Sequence, residues 1–252
     1  NGNGDITTLG RGGSDISAVA LAVALGAPVC EIYTDVEGVF TSDPRVVKGA
    51  RRLDEISYEE MLELASLGAK VLHPRAVEFA QKFNVTLHVR SSFTWTEGTL
   101  VKGVDELENK RVVSGVACDL NTAKAVIMGV PDKPGVAQQV FSALAKANIN
   151  IDMIIQSMMR DGKNDIAFTV ERSALQEAIE IMEGVAEELG AEGVAHDAGV
   201  AKVSIVGAGM VSHPGTAATM FGALGDAGIN IEMISTSEIK ISCLIQEADA
   251  QK

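Results

Sequence analysis

The densest chemistry in the sequence lies near its start, in Thr7-Thr8-Leu9-Gly10-Arg11-Gly12-Gly13-Ser14-Asp15. Three glycines let the backbone approach a ligand closely. Residues 16–26 follow as an Ala-rich apolar run ending at Gly26, which predicts a helix. The loop therefore sits on a helix N-terminus, where free N–H groups and a partial positive charge suit an anion. Arg11 adds a planar fork that can hold a carboxylate or phosphate at two points. Ser14 or Asp15 has a simpler use as a helix cap, but a cap does not account for an arginine among glycines.

A second group is Tyr33-Thr34-Asp35-Val36-Glu37-Gly38-Val39-Phe40-Thr41-Ser42-Asp43-Pro44-Arg45. It follows a predicted strand, residues 29–36, at the carboxyl end where open α/β sheets bind ligands. Spacing alone reads equally well as an ordinary polar loop. A third is Leu67-Gly68-Ala69-Lys70-Val71-Leu72-His73-Pro74. Lys70 follows a glycine and can reach a phosphate, although a lone lysine is more simply a solvated one. His73 before Pro74 reads as structural. None of these loops has the Walker A pattern.

The elements that must position these groups alternate. Residues 29–36 carry few charges and are expected in a sheet buried on both faces. Ser57 with Glu60 forms a capping box ahead of Met61, Leu62, Leu64 and Ala65. Pro74 stands at the first position of a helix over 75–83, and 85–89 is a strand. This predicts an α/β domain with a mostly parallel sheet.

The rest of the chain is duplicated. Residues 129–157 match 207–237 at an offset of 80 without a gap from Gly209 onward: Pro134 with Pro214, Gly135 with Gly215, Phe141 with Phe221, Leu144 with Leu224, Asn150 with Asn230, Met153 with Met233. Each copy reads as a strand (123–130; 203–208), a Pro-Gly turn, a helix and a second strand (151–157; 231–237). The first copy continues through a turn at Asp161-Gly162 to a strand over 166–170 and a helix over 173–189 begun by Ser173. The order is that of a split βαβ unit of the ferredoxin type. Residues 102–115 are charged and aperiodic, a linker. The expected divisions are 1–101, a linker with a strand possibly shared with the duplicated pair over 102–118, one module over 119–198 and a second over 199–252.

Within each repeat, the Pro-Gly turn and the helix after it are expected to hold a small ligand. Asp132 and Gln156 can meet an amino group, and the backbone at Gly135–Ala137 a carboxylate. Ser212 and His213 replace Asp132 and Lys133 in the second copy, so the two sites are expected to differ.

Composition narrows the partners. The 252 residues are 46% hydrophobic with a net charge of -13, which disfavours nucleic acid and anionic membranes. No run is long and apolar enough to span a bilayer, and no signal-peptide pattern opens the chain. Cys30, Cys118 and Cys243 are scattered, expected as reduced, buried thiols of a cytoplasmic protein. The four histidines lack zinc spacing. The sequence opens inside a Gly-rich loop and stops before a last helix, so both ends are expected to be incomplete.

TTLGRGGSD, YTDVEGVFTSDPR, EEMLELASLGAKVLHPRA and STSEI together resemble the aspartate kinases of the monofunctional, feedback-regulated kind, and the duplicated module resembles their tandem ACT domains. The likeness covers nearly the whole chain. It implies the C-terminal, nucleotide-side part of an amino-acid-kinase αβα sandwich followed by two ferredoxin-like ACT domains. It also implies transfer of the ATP γ-phosphoryl group to the side-chain carboxylate of L-aspartate, with Mg²⁺ carried mainly by the nucleotide. Carried over, Arg11 clamps the substrate with Thr8, Gly12, Gly13 and Ser14 beside it, and Asp15 organises the reacting groups. Thr34, Asp35, Phe40, Arg45, Lys70 and Val71 face ATP; Phe40 stands where many relatives carry Tyr. Lysine or threonine would bind at Asp132, Pro134, Gly135, Val136, Ala137, Asn150, Ile151, Asp152 and Gln156, and at Thr216, Ala217, Asn230, Ile231 and Thr236. The ACT pair implies a homo-oligomer or an α/β-subunit assembly.

The family's Lys-Phe/Tyr-Gly-Gly segment is absent here, so these residues alone are expected to lack kinase activity. A separate amino-acid-sensing regulatory subunit is the alternative, but such a subunit would omit TTLGRGGSD. Glutamate 5-kinase and acetylglutamate kinase are weaker resemblances, lacking the tandem ACT arrangement.

Overall fold

The computed structural model describes residues 2, 4–8, 10, 12–69, 71–107 and 111–252. Arg11 and Lys70 lie outside them. The chain divides into two compact units. One holds Asn1–Ala117, Ser204–Met220 and Thr236–Ile241; the other holds Cys118–Val203, Phe221–Ser235 and Ser242–Lys252.

The N-terminal part of the first unit runs α1 (Gly13–Leu25), β1 (Val29–Thr34), β2 (Glu55–Ser57), α2 (Tyr58–Ser66), α3 (Pro74–Phe83), β3 (Thr86–Ser91) and β4 (Thr99–Lys102). Local chemistry sets the boundaries. Gly26 ends α1 in the left-handed region at φ 64°, its N–H returning to Ala22 and Val23. Ser57 and Glu60 cap α2 reciprocally. Pro74 occupies the first turn of α3, and Asn84 closes that helix at φ 52°.

The sheet order is β1-β3-β4-β2. The β1/β3 and β2/β4 pairs are parallel, whereas β3 and β4 are antiparallel. Seven residues join β3 to β4, too few for the crossover a parallel pair needs. The strand expected to be buried on both faces is not: Cys30 and Ile32 are buried while Val29, Glu31 and Tyr33 are exposed. Its buried face shares one core with Val19 and Ala22 of α1, Met61 and Leu64 of α2, Val77 and Ala80 of α3, and Leu87 and Val89 of β3.

The first repeat is complete: β6 (Thr122–Pro131), α4 (Val136–Lys146), β7 (Ile151–Gln156), β8 (Lys163–Glu171), α5 (Leu175–Leu189) and β9 (Gly193–Asp197), preceded by β5 (Gly115–Asp119). Its sheet is antiparallel in the order β7-β8-β6-β9. Ser173 does not begin α5. Residues Arg172–Ala174 form a 3-10 turn, and the helix starts at Leu175 without a side-chain cap. The core packs Val140 and Leu144 of α4 against Ala178 and Met182 of α5. Phe168 lies edge-on to Phe141, with 5.8 Å between ring centres.

The second repeat supplies β10 (Val200–Val206), α6 (Thr216–Asp226), β11 (Met233–Thr236) and β12 (Lys240–Gln246). Its sheet order is β11-β12-β10-β5. The slot that β9 fills in the first repeat is thus filled by β5, from upstream of both repeats. β5 overlaps the end of residues 102–118, the linker stretch that the sequence allows to share a strand with the duplicated pair.

Within the second unit the repeats meet through Met153, Val200, Met233 and Leu244. Met153 and Met233 are equivalent under the 80-residue offset. Their neighbours Asp152 and Glu232 are equivalent too, and each reaches a lysine on the other repeat: Asp152 to Lys202 of β10, and Glu232 to Lys124 of β6. All three cysteines are free. Cys30 and Cys243 are buried as expected, but Cys118, on β5, is exposed.

Candidate functional site

Gly10 and Gly12 take φ of 82° and 73°, and the Gly13 N–H closes the turn onto Gly10 O at 3.1 Å. Gly12 is the N-cap of α1, and among the described residues no side chain caps the helix. Neither Ser14 nor Asp15 plays the capping part that competes with a functional reading. Ser14 lies in the first turn and is exposed.

Asp15 turns instead to the third motif. Its Oδ2 accepts the His73 backbone N–H at 3.2 Å. His73 Nδ1 accepts the Arg75 N–H at 3.3 Å, capping α3. The imidazole lies on Gly12: a Cβ there would stand 2.3 Å from its Cδ2. Glycine is therefore required at position 12 by both the dihedral and the close approach. Burial, followed by the Asp15 charge, pushes the Cys30 thiol up, so Asp15 also lies near β1. Val71, next to the undescribed Lys70, packs against the core and donates its N–H to Ala69 O at 2.8 Å.

At the end of β1 the Thr34 hydroxyl donates to Asp35 Oδ1 at 3.1 Å. Phe40 is half-buried and bridges to Arg52. Buried Thr99 supports this loop, accepting the Val39 N–H at 2.9 Å. Arg45 is exposed and forks onto Asp43, through Nε at 3.0 Å and a terminal nitrogen at 2.8 Å. That fork holds the Asp43 carboxyl below its ordinary range. Among the described residues no three His, Cys, Asp or Glu side chains gather as a metal site.

The two repeat turns differ in conformation. In the first, Gly135 is the uncapped N-cap of α4 at φ 92°. Asp132 accepts from buried Asn164 at 3.3 Å, and its N–H reaches Gly162 O at 3.0 Å. Asn150 and Gln156 are exposed and Ile151 is half-buried. The Asp152 carboxylate is already engaged by Lys202. In the second, Ala208–Ser212 winds into a 3-10 turn. His213 Nδ1 lies 2.8 Å from Gly209 O, and Thr216 donates to His213 O at 3.0 Å. Ala217 and Ile231 are half-buried, whereas Asn230 and Thr236 are exposed.

Sequence reasoning missed three features. The brace that His73 forms against Gly12 and Asp15 spans 58 residues. The crossed lysine–carboxylate pairs between repeats left no motif. Glu60 was legible as a cap but not as a buried hub.

Residues 1–91 match the amino acid kinase family, and residues 126–184 and 203–252 match an ACT domain. An aspartokinase of Mycolicibacterium smegmatis is 52% identical over 252 residues, covering 98% of this chain and 60% of its own length. The chain thus spans about 60% of the length of such curated relatives. The structure of E. coli aspartokinase III with aspartate and ADP, an R-state, superposes with a TM-score of 0.81 at 33% identity, covering 97% of this chain and 55% of that one. The same enzyme with lysine and aspartate, a T-state, gives 0.76. The ligand-free regulatory subunit of aspartate kinase from Thermus thermophilus is 45% identical with a TM-score of 0.53, and covers 56% of this chain and 93% of its own. On these likenesses, the chain belongs to the aspartokinase family.

Proposed function

We propose that this chain carries the nucleotide-side loops and the regulatory ACT pair of an aspartate kinase. That enzyme transfers the ATP γ-phosphoryl group to the L-aspartate side-chain carboxylate, giving 4-phospho-L-aspartate. The reaction opens lysine, threonine and methionine synthesis in the cytoplasm. The observation that carries the reading is the uncapped start of α1 behind Gly10 and Gly12, with Asp15 held by His73. The N-terminal end of α1 suits a phosphorylated or carboxylated ligand, and Asp15 can orient it through Mg²⁺.

In this reading Arg11 and Thr8 bind the aspartate carboxylate, with Ser14 and the backbone of Gly12 and Gly13 completing the cradle. Asp15 orients the reacting groups. Thr34, Asp35, Phe40 and Val71 hold the nucleotide, and Arg45 and Lys70 neutralise phosphate charge; Arg45 is exposed enough to leave Asp43 for a phosphate. Mg²⁺, arriving with ATP, supplies further charge neutralisation for a transfer that depends on alignment and electrostatics more than on covalent help.

The uncapped start of α4 and the Asn150 and Asn230 strand entries form the effector sites, for lysine, threonine or both. That E. coli aspartokinase III was solved with lysine in a T-state supports the choice of class. The likeness to the Thermus regulatory subunit favours assembly through ACT modules, in a homo-oligomer or between α and β subunits. It also favours the second reading, a non-catalytic sensor, but the match of residues 1–91 to the kinase family argues for the enzyme.

Calorimetry with L-lysine and L-threonine, singly and together, tests the sensor. Saturable heat for at least one is expected, and no binding of either would remove the effector assignment.

A further inference from the structure

Glu60 is 2% exposed. A buried carboxylate accepts only, and it is tolerated where donors replace the water it has lost. Glu60 has three. Ser57 N–H reaches Oε2 at 3.1 Å, Ser114 Oγ reaches Oε1 at 2.7 Å, and the Ala208 N–H reaches Oε1 at 2.8 Å. The capping box of α2 requires only the first. The other two come from the segment before β5 and from the 3-10 turn that leads into His213-Pro214-Gly215 of the second repeat.

The attachment is reinforced nearby. Glu63, one turn along α2, pairs with Lys240 at 2.9 Å. The Ser114 N–H donates to Val206 O at 2.8 Å, and the Gly209 N–H to Arg111 O at 3.0 Å. A Cβ at Gly207 would stand 2.1 Å from Val112 O and one at Gly209 2.5 Å from Arg111 O. The turn is thus pressed against the chain that flanks Ser114.

The far end of α2 leads through residues 67–73 to His73, which holds Asp15 and covers Gly12. Met61 and Leu64 of α2 share a buried core with Ala76, Val77 and Ala80 of α3. A packed pair of helices shifts as a body rather than deforming locally.

We infer that Glu60 couples the effector turn of the second repeat to the α1 anion turn, its bond to the Ala208 N–H being the contact that effector binding makes or breaks. The inference rests on the function proposed above. Because Glu60 is sealed from solvent, a displaced Ala208 N–H is not replaced by water, so the contact switches between discrete arrangements. Glu60 is a coupling residue and touches no reactant.

The test uses the full-length protein carrying Glu60→Gln or, as a milder variant, Ser114→Ala, each checked for native circular dichroism. Aspartyl hydroxamate formation with ATP is titrated with L-lysine and L-threonine. Coupling of this kind typically amounts to about 5–150-fold in apparent affinity. The effector concentration for half-inhibition should rise about tenfold in Glu60→Gln and about threefold in Ser114→Ala, on that scale. Uninhibited turnover should stay within about threefold. An unchanged inhibition curve in Glu60→Gln overturns the coupling and leaves the proposed function standing. A wild-type protein that turns over but responds to neither amino acid overturns the sensor reading and the coupling with it. Hydrogen exchange supplies a readout independent of turnover: effector should alter protection at residues 12–16 and 72–76 in wild type but not in Glu60→Gln. Identical changes in both proteins overturn the coupling.

Discussion

The two repeats began as one sequence pattern and solve the same packing problem differently. In the first, α4 buries Val140 and Leu144, and α5 brings Ala178, Ile179 and Met182 onto the same sheet. In the second, α6 buries Met220 alone among its residues, and the sheet is closed by β5, drawn from before the first repeat. The first repeat lies wholly in one compact unit, whereas the second is divided between both. The strand–turn–helix–strand start is common to both modules, and β5 takes in the second sheet the position that β9 takes in the first. The equivalent residues Leu144 and Leu224 test the difference in packing most severely. Leu144 is fully buried and Leu224 only half-buried. Leu144→Ala should cost about 2–5 kcal/mol, by transfer and cavity terms together. Leu224→Ala should cost less than about 2 kcal/mol, because part of its surface already meets water. Urea midpoints at constant slope would report both. Equal losses would mean the second module has as deep a core as the first.

A smaller effect is expected at the seam between repeats. Lys202 has a side chain 6% exposed, engaged by Asp152 and lying 3.8 Å from Asp119. Lys202→Met leaves two carboxylates facing each other without their cation. Removing one partner of a fully buried pair costs about 3–5 kcal/mol. Asp152 is 47% exposed and can rehydrate, so about 1–3 kcal/mol is expected. The counterpart Lys124→Met should cost less, because Gln246 still donates to Glu232. A cycle combining Lys202→Met with Asp152→Asn isolates the pair. A stabilised Lys202→Met protein would show that the crossed pairs do not hold the repeats together.

These comparisons also mark which features the sequence could reveal. Ser57 with Glu60, Pro74, Gly26 and the 80-residue repeat were legible because each acts within a few residues or by self-similarity. The partners of Glu60 lie 54 and 148 residues away, and no local pattern encodes such distances. Ser173 looked like a helix start by type, yet Leu175, buried at 8% exposure, begins the helix and Ser173 sits in the 3-10 turn before it. The candidate site shows the same division. Gly12, Gly13 and Asp15 were found from residue type and helix position. The approach of His73, which makes glycine obligatory at position 12, became visible only when the α2–α3 hairpin was folded against α1. The sequence allows a strand shared with the repeats over 102–118 but does not say which repeat takes it, because edge strands pair by backbone and backbone pairing leaves little side-chain signature.

The smallest test addresses the turn joining the repeats, between β9 and β10. Asp197 Oδ1 accepts the Gly199 N–H at 2.7 Å, and Oδ2 accepts from Gln246 at 3.3 Å. The Gly199 bond, ahead of the Gln246 contact and the Lys124 and His196 charges, holds the Asp197 carboxyl below its ordinary value. A carboxyl depressed in the folded state stabilises it above the unfolded pKa, near 4. That contribution is lost as pH falls through the lower folded value. Asp197→Asn should therefore flatten the acid limb of stability below about pH 4. Its neutral-pH midpoint should fall slightly, by the lost charge contribution, whereas stability at acid pH should stay near wild type, since Asn Oδ1 can still accept from Gly199. If the acid limb keeps its slope in Asp197→Asn, the charge at this turn does not help to hold the repeats in register, and the seam relies on Met153, Met233 and the crossed lysine pairs alone.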